Sequence, residues 1–135
     1  MRPGKGVLDT SLVILLDQLD EGSDLPEEPL ITAVTLAVLS VGPLIADNEG
    51  ERAVRQARLQ VTEASFDPLP FDASAARAFG RVAAQLRTSG RKGKARSFDA
   101  MIAATALARA LPVFTVNSDD FMGIDGLEVV SVTME

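Results

Sequence analysis

Apolar residues along this chain recur in two rhythms, short unbroken runs of strand length and longer stretches spaced at three and four, and the two alternate from end to end. The stretch "GVLDTS" predicts a short buried strand ending at Asp9, followed by a first helix over "SLVILLDQL". "EPLITAVTLAVLSVGPLIA" predicts a strand around Leu30 to Thr32 that turns helical, with Gly42 and Pro43 bending or interrupting the helix. "NEGERAVRQARLQVTEASF" predicts an amphipathic helix with Val54, Ala57 and Val61 on its apolar side. "DPLPF" reads as a short edge strand, since its prolines cannot donate to a ladder.

Asp72 is placed to cap a helix over "ASAARAFGRVAAQLRTSG" that closes at Gly90. Ser97 is read as the cap of the alanine-rich helix "SFDAMIAATALARA", followed by a strand "PVFTV", a turn or short helix "SDDFMGI" and a final strand "LEVVSV". Such β-α alternation predicts a parallel, doubly wound sheet with helices on both faces. No linker, repeat or low-complexity tract divides the 135 residues, so residues 1–135 are read as one α/β domain.

In open α/β sheets ligands collect beyond the carboxyl ends of the strands. Asp9 ends the first strand there, Asn117, Asp119 and Asp120 follow "PVFTV", and Asp99 falls in the expected first turn of the alanine-rich helix. Each has a plain explanation as a cap, a helix-dipole partner or a turn residue. Together they bring acids from three separate segments to one edge, where repulsion calls for a counterion. A hard divalent cation such as Mg²⁺ or Mn²⁺ suits such oxygen ligands and can orient a water for attack on phosphorus.

Composition narrows the chemistry further. With no histidine and no cysteine, imidazole and thiolate chemistry are excluded, and with them a Ser-His-Asp triad. Neither a Walker loop nor a G-x-G-x-x-G fingerprint is present. The apolar runs are too short to span a bilayer and the N-terminus does not read as a signal peptide, so a cytoplasmic location without membrane contact is expected. A net charge of −6 argues against bulk attraction to nucleic acid. Screening beyond about 8 Å leaves local patches decisive, and "RTSGRKGKAR" supplies one, with Arg91, Lys92, Lys94 and Arg96 as candidate contacts to a phosphate.

"VLDTSLVI", "VTLAVLSVG", "RSFDAMIAATAL" and "FTVNSDDF" occur in that order and closely resemble the successive motifs of PIN-domain ribonucleases, specifically VapC-type toxins of toxin–antitoxin pairs. The resemblance implies a three-layer α/β/α fold and Mg²⁺- or Mn²⁺-dependent endoribonuclease activity. It also implies a homodimer, neutralisation by a VapB-type antitoxin in a larger hetero-oligomer, and structured RNA, with transfer RNA as the suggested substrate. Carried over residue by residue, Asp9, Asp99 and Asp120 match metal-binding and catalytic acids, with Thr10, Ser11 and Asn117 in support. Asp119 is assigned to the turn. The antitoxin is expected to lay an apolar helical face into a groove built from "SLVILLDQL" and "VTLAVLSVGPLIA", and to reach towards the acids with an Arg or Lys.

One position departs from the pattern: Val38 stands where the motif "TLAEL" has glutamate. Valine offers no oxygen to a metal or a water. Two origins fit, a natural variant of reduced activity and a change made to silence a toxic enzyme. An impaired endoribonuclease is therefore the first reading, and a PIN-fold module that binds antitoxin or RNA without cleavage is the second. A phosphoacceptor domain using Asp9 is more remote, since the acids expected before such a residue are missing.

Overall fold

The computed structural model describes residues 4–19, 24–88 and 94–133, the side chains of 94–96 excepted. Four strands, β1 (Lys5–Leu8), β2 (Glu28–Leu30), β3 (Val113–Thr115) and β4 (Val129–Ser131), form a sheet in the order β2-β1-β3-β4. Every pairing is parallel. Side chains alternate across such a sheet. Val7 and Val113 accordingly enter one core with Ala78, Val82, Ile102 and Phe121, while Leu8 and Phe114 enter the other with Leu12, Ile31 and Leu39. Helices α4 (Ala73–Thr88) and α5 (Lys94–Ala108) cover the first face; α1 (Thr10–Ile14) and α2 (Ala33–Val41) cover the second. This is the expected α/β sandwich with a parallel sheet.

Four boundaries differ from expectation, each for a local reason. The first helix is short: α1 stops at Ile14, and Leu16–Gln18 continues as a separate 3-10 turn. Strand β2 pairs at Glu28–Leu30 rather than at Leu30–Thr32, because Pro29 is tolerated on an edge and Thr32 instead caps α2 by accepting from the Thr35 amide. "DPLPF" makes a single bridge, Thr32 to Leu69, since Pro68 and Pro70 on either side of Leu69 cannot donate to a ladder. Helix α5 begins at Lys94, not after Ser97, so Asp99 lies in its second turn. Asp72 does cap α4 by accepting from the Ala75 amide at 3.0 Å, whereas Gly90 falls outside the described residues. Its carboxyl is held below the usual range, first by that amide bond and then by Arg109.

Helix α3 (Glu49–Ser65) stands apart from these layers. It is capped by Asn48 and packs chiefly on α2 and the 3-10 turn Gly42–Ile45, into which Gly42 and Pro43 divert the chain. Its expected apolar side is not in the core: Val54 and Val61 are 59% and 64% exposed, and Thr62 is its one buried residue.

Close approach explains Gly6 on β1. A Cβ there would overlap the ring of Phe114, which is fully buried. Gly6→Ala should destabilise the fold by about 1–3 kcal/mol through overpacking. Urea denaturation checks this, and an unchanged midpoint would contradict the packing described.

Candidate functional site

Because β1 and β3 run parallel with Leu8 opposite Phe114, the residues that follow each strand emerge side by side. Asp9 leaves β1 with its amide on the Phe114 carbonyl at 3.1 Å, and Thr115 is its neighbour at the end of β3. Thr115 Oγ1 donates to Asp9 Oδ2 at 2.6 Å, and the Asn117 amide donates to Thr115 Oγ1 at 2.9 Å. On its own side Asp9 Oδ1 accepts from the Leu12 amide at 3.0 Å, and Ser11 Oγ lies 2.9 Å from both carboxylate oxygens. Asp9 is thus the cap of α1 and the centre of a hydroxyl cluster at once.

Asp9 is 2% exposed. Burial is the main reason its carboxyl is pushed above the ordinary carboxylate range, and the charge of Asp120 pushes the same way. The bonds from Thr115, Leu12 and Ser11 oppose the shift without cancelling it. A carboxylate offers about four lone-pair directions. Those three donors leave room for a further positive partner.

Asp120 reaches this edge because the chain tightens into a 3-10 turn, Ser118–Phe121, whose Phe121 is 1% exposed in the core and anchors it. The Asp120 amide closes on the Asn117 carbonyl at 3.0 Å. Asp119 is exposed, as a turn residue should be. Asn117 contributes its backbone amide here. Thr10 turns to the second layer, its Oγ1 2.9 Å from Thr35 Oγ1, which fastens α1 to α2.

Asp99 is half-buried in α5 but does not join Asp9 and Asp120: among the described residues no three acidic side chains stand close enough to hold a metal ion. The position of Asp99 in the second turn of α5 differs from the first-turn position expected. Arg91 and Lys92 lie outside the described residues, as do the side chains of Lys94 and Arg96. Thr115 is the functional candidate missed in the sequence. Its signal was a hydroxyl on the last residue of a buried strand that pairs with the one ending at Asp9.

Val38 is half-buried on α2, one turn beyond Thr35. It lines an apolar groove of about 610 Å³ with Ile14, Val41, Ile45, Arg58 and Phe98. A second groove of about 500 Å³ continues between α1 and α3, lined by Val13, Leu16, Val54, Ala57, Val61 and again Ile14 and Arg58.

Residues 7–127 match the family model described as PIN domain. The chain is 44% identical over 133 residues to a protein of Mycobacterium tuberculosis named Ribonuclease VapC5, covering 96% of this chain and 95% of that one. Among solved structures it resembles a chain of the VapBC-5 toxin–antitoxin system of the same organism, with a TM-score of 0.81, 43% identity and coverage of 96% and 99%. VapBC2 of Rickettsia felis, solved bound to a promoter DNA fragment, shares the fold at a TM-score of 0.72 and 18% identity, over 94% and 98% of the two chains. The matched motifs and the parallel sheet agree, and the chain belongs to the PIN-domain family.

Proposed function

We propose that this protein is the endoribonuclease toxin of a toxin–antitoxin pair, working as a single PIN-like unit over residues 1–135. The observation that carries this reading is the buried Asp9 carboxylate, held by Ser11, Leu12 and Thr115 and facing the charge of Asp120 at the carboxyl edge of the sheet. Relatives named as ribonucleases and solved as toxin–antitoxin complexes support it.

The donor chemistry fits a hard cation. Mg²⁺ is commonly held by one or two carboxylates with waters and substrate phosphate completing the shell, and Asp9 with Asp120 offers that pair. Once bound, Mg²⁺ or Mn²⁺ would stabilise charge developing on the phosphate. Ser11, Thr115 and the Leu12 amide fix the orientation of Asp9, the Asn117 amide holds Thr115 in place, and the Thr10–Thr35 contact fastens α1 to α2 beside this edge. In this reading Arg91, Lys92, Lys94 and Arg96 meet RNA phosphate, with transfer RNA as substrate class and the chain working as a homodimer.

Val38 sets the limit on activity. It replaces an oxygen donor by an apolar wall, so the protein as written binds metal and RNA while cutting weakly. The two grooves along α3 accept the antitoxin, whose apolar helical face covers Val54 and Val61.

Millimolar Mn²⁺ should raise the melting temperature, because a ligand bound to the folded state alone stabilises it by about 2.7 kcal/mol at a hundredfold excess over Kd. Asp9→Asn should abolish that shift and raise metal-free stability, since one buried like charge is gone. A folded protein whose melting temperature ignores millimolar Mn²⁺ would end the metal-dependent reading.

A further inference from the structure

The two apolar grooves along α3 are separated by a cation. Arg58 lines both of them and is half-buried. Its neighbour Arg55 is already committed, to Glu51 as an ion pair and to the Gly42 carbonyl at 2.9 Å. The Arg58 guanidinium has neither an ion pair nor a side-chain hydrogen bond among the described residues. Asp17 borders the second groove without coming within ion-pair distance.

An occupant of these grooves must bring its own satisfied backbone, because the walls are largely apolar: Val38, Val41 and Ile45 in one groove, Val54, Ala57 and Val61 in the other, with Ile14 shared. A helix satisfies its peptide groups internally and an extended segment does not. The α3 positions on the grooves, Val54, Ala57, Arg58 and Val61, follow helical spacing, so a second helix laid alongside meets apolar, charged and apolar positions in turn. Covering Arg58 with an apolar helix would desolvate an unpaired charge, which is costly unless an anion arrives with it.

We propose that Arg58 is a specificity residue of the antitoxin interface, pairing with an aspartate or glutamate set between two apolar anchors on the antitoxin helix. This rests on the toxin–antitoxin reading and adds to it the chemical signature of the partner. RNA is the poorer occupant: it offers no apolar face to Val54 and Val61, and tight phosphate binding draws on several cations together.

The test is calorimetric titration of full-length cognate antitoxin into the full-length toxin at low and moderate salt. Arg58→Gln should weaken binding roughly 10–100-fold, the range for losing a hydrogen bond to a charged group. Arg58→Glu should weaken it further, and one antitoxin acid changed to Lys should restore binding to Arg58→Glu while weakening binding to the unaltered toxin. Val61→Asp serves as a groove control, and circular dichroism confirms that each variant is folded. If Val61→Asp loses the antitoxin while Arg58→Glu binds like the unaltered toxin, the groove stands and the pairing is overturned. Loss on Arg58→Glu that no single acid reversal repairs overturns it too. If both variants bind normally, the groove reading itself fails. If Arg58→Gln spares the antitoxin and weakens RNA binding instead, Arg58 is a phosphate contact and the proposal is wrong.

Discussion

Val38→Glu is expected to raise Mn²⁺-dependent RNA cleavage by about 10²–10⁴-fold, the range for restoring a positioned acid–base group and equivalent to about 3–5 kcal/mol of barrier. Position 38 lies one turn from Thr35, whose hydroxyl meets Thr10 beside Asp9, and it shares a groove with Phe98, the residue before Asp99. A carboxylate there would come from the α2 side. Nearby acids do not replace it: Asp47 and Glu49 are exposed, and Glu51 is engaged with Arg55. The same variant should be less stable without metal, because it adds an anion to an edge where Asp9 and Asp120 already oppose one another. Gel analysis of total cellular RNA measures the first effect and thermal denaturation the second. A Val38→Glu protein that folds, binds Mn²⁺ and leaves a broad RNA panel uncut would favour a non-cleaving binding module.

Thr115→Val should cost about 1–3 kcal/mol of stability at pH 8, the usual range for leaving a buried polar group without its partner. The change is nearly isosteric, so packing is spared while Asp9 Oδ2 loses its 2.6 Å donor and the Asn117 amide loses its acceptor. The pH dependence has a definite sign. Burial raises the Asp9 carboxyl in the folded state, so its contribution to stability is fully present below the unfolded value and is lost as pH rises through the folded one. Thr115 supplies the largest opposing effect. Its removal should raise Asp9 further and make the loss greater at pH 8 than at pH 4. Urea denaturation at both values measures this, and equal losses would mean that Thr115 does not act through the charge of Asp9.

The β-α order and the two faces of the sheet were legible because Val7, Leu8, Val113 and Phe114 alternate in strands buried on both sides. Asp9 and Asp120 were legible as strand-end acids. The hydroxyl chain from Asn117 through Thr115 to Asp9 was hidden, since it depends on which two strands are neighbours, and β1 and β3 are more than 100 residues apart in sequence. The start of α5 was misread because Ser97 is a good cap, yet Lys94, Ala95 and Arg96 are better helix formers than the cap is a stop. The apolar stripe of α3 was legible in the sequence, but its surroundings were not. In the fold it lines a groove, and periodicity shows which residues share a face and not what that face meets.

Paramagnetic line broadening by substoichiometric Mn²⁺ in an amide NMR spectrum tests most directly whether the Asp9 edge is the working site. Signals from Asp9 to Ser11 and from Thr115 to Phe121 should broaden first in the unaltered protein, and Asp9→Asn should remove the effect. Broadening centred on the exposed acids of α3, or none at millimolar Mn²⁺, would contradict a metal-dependent ribonuclease site at this edge.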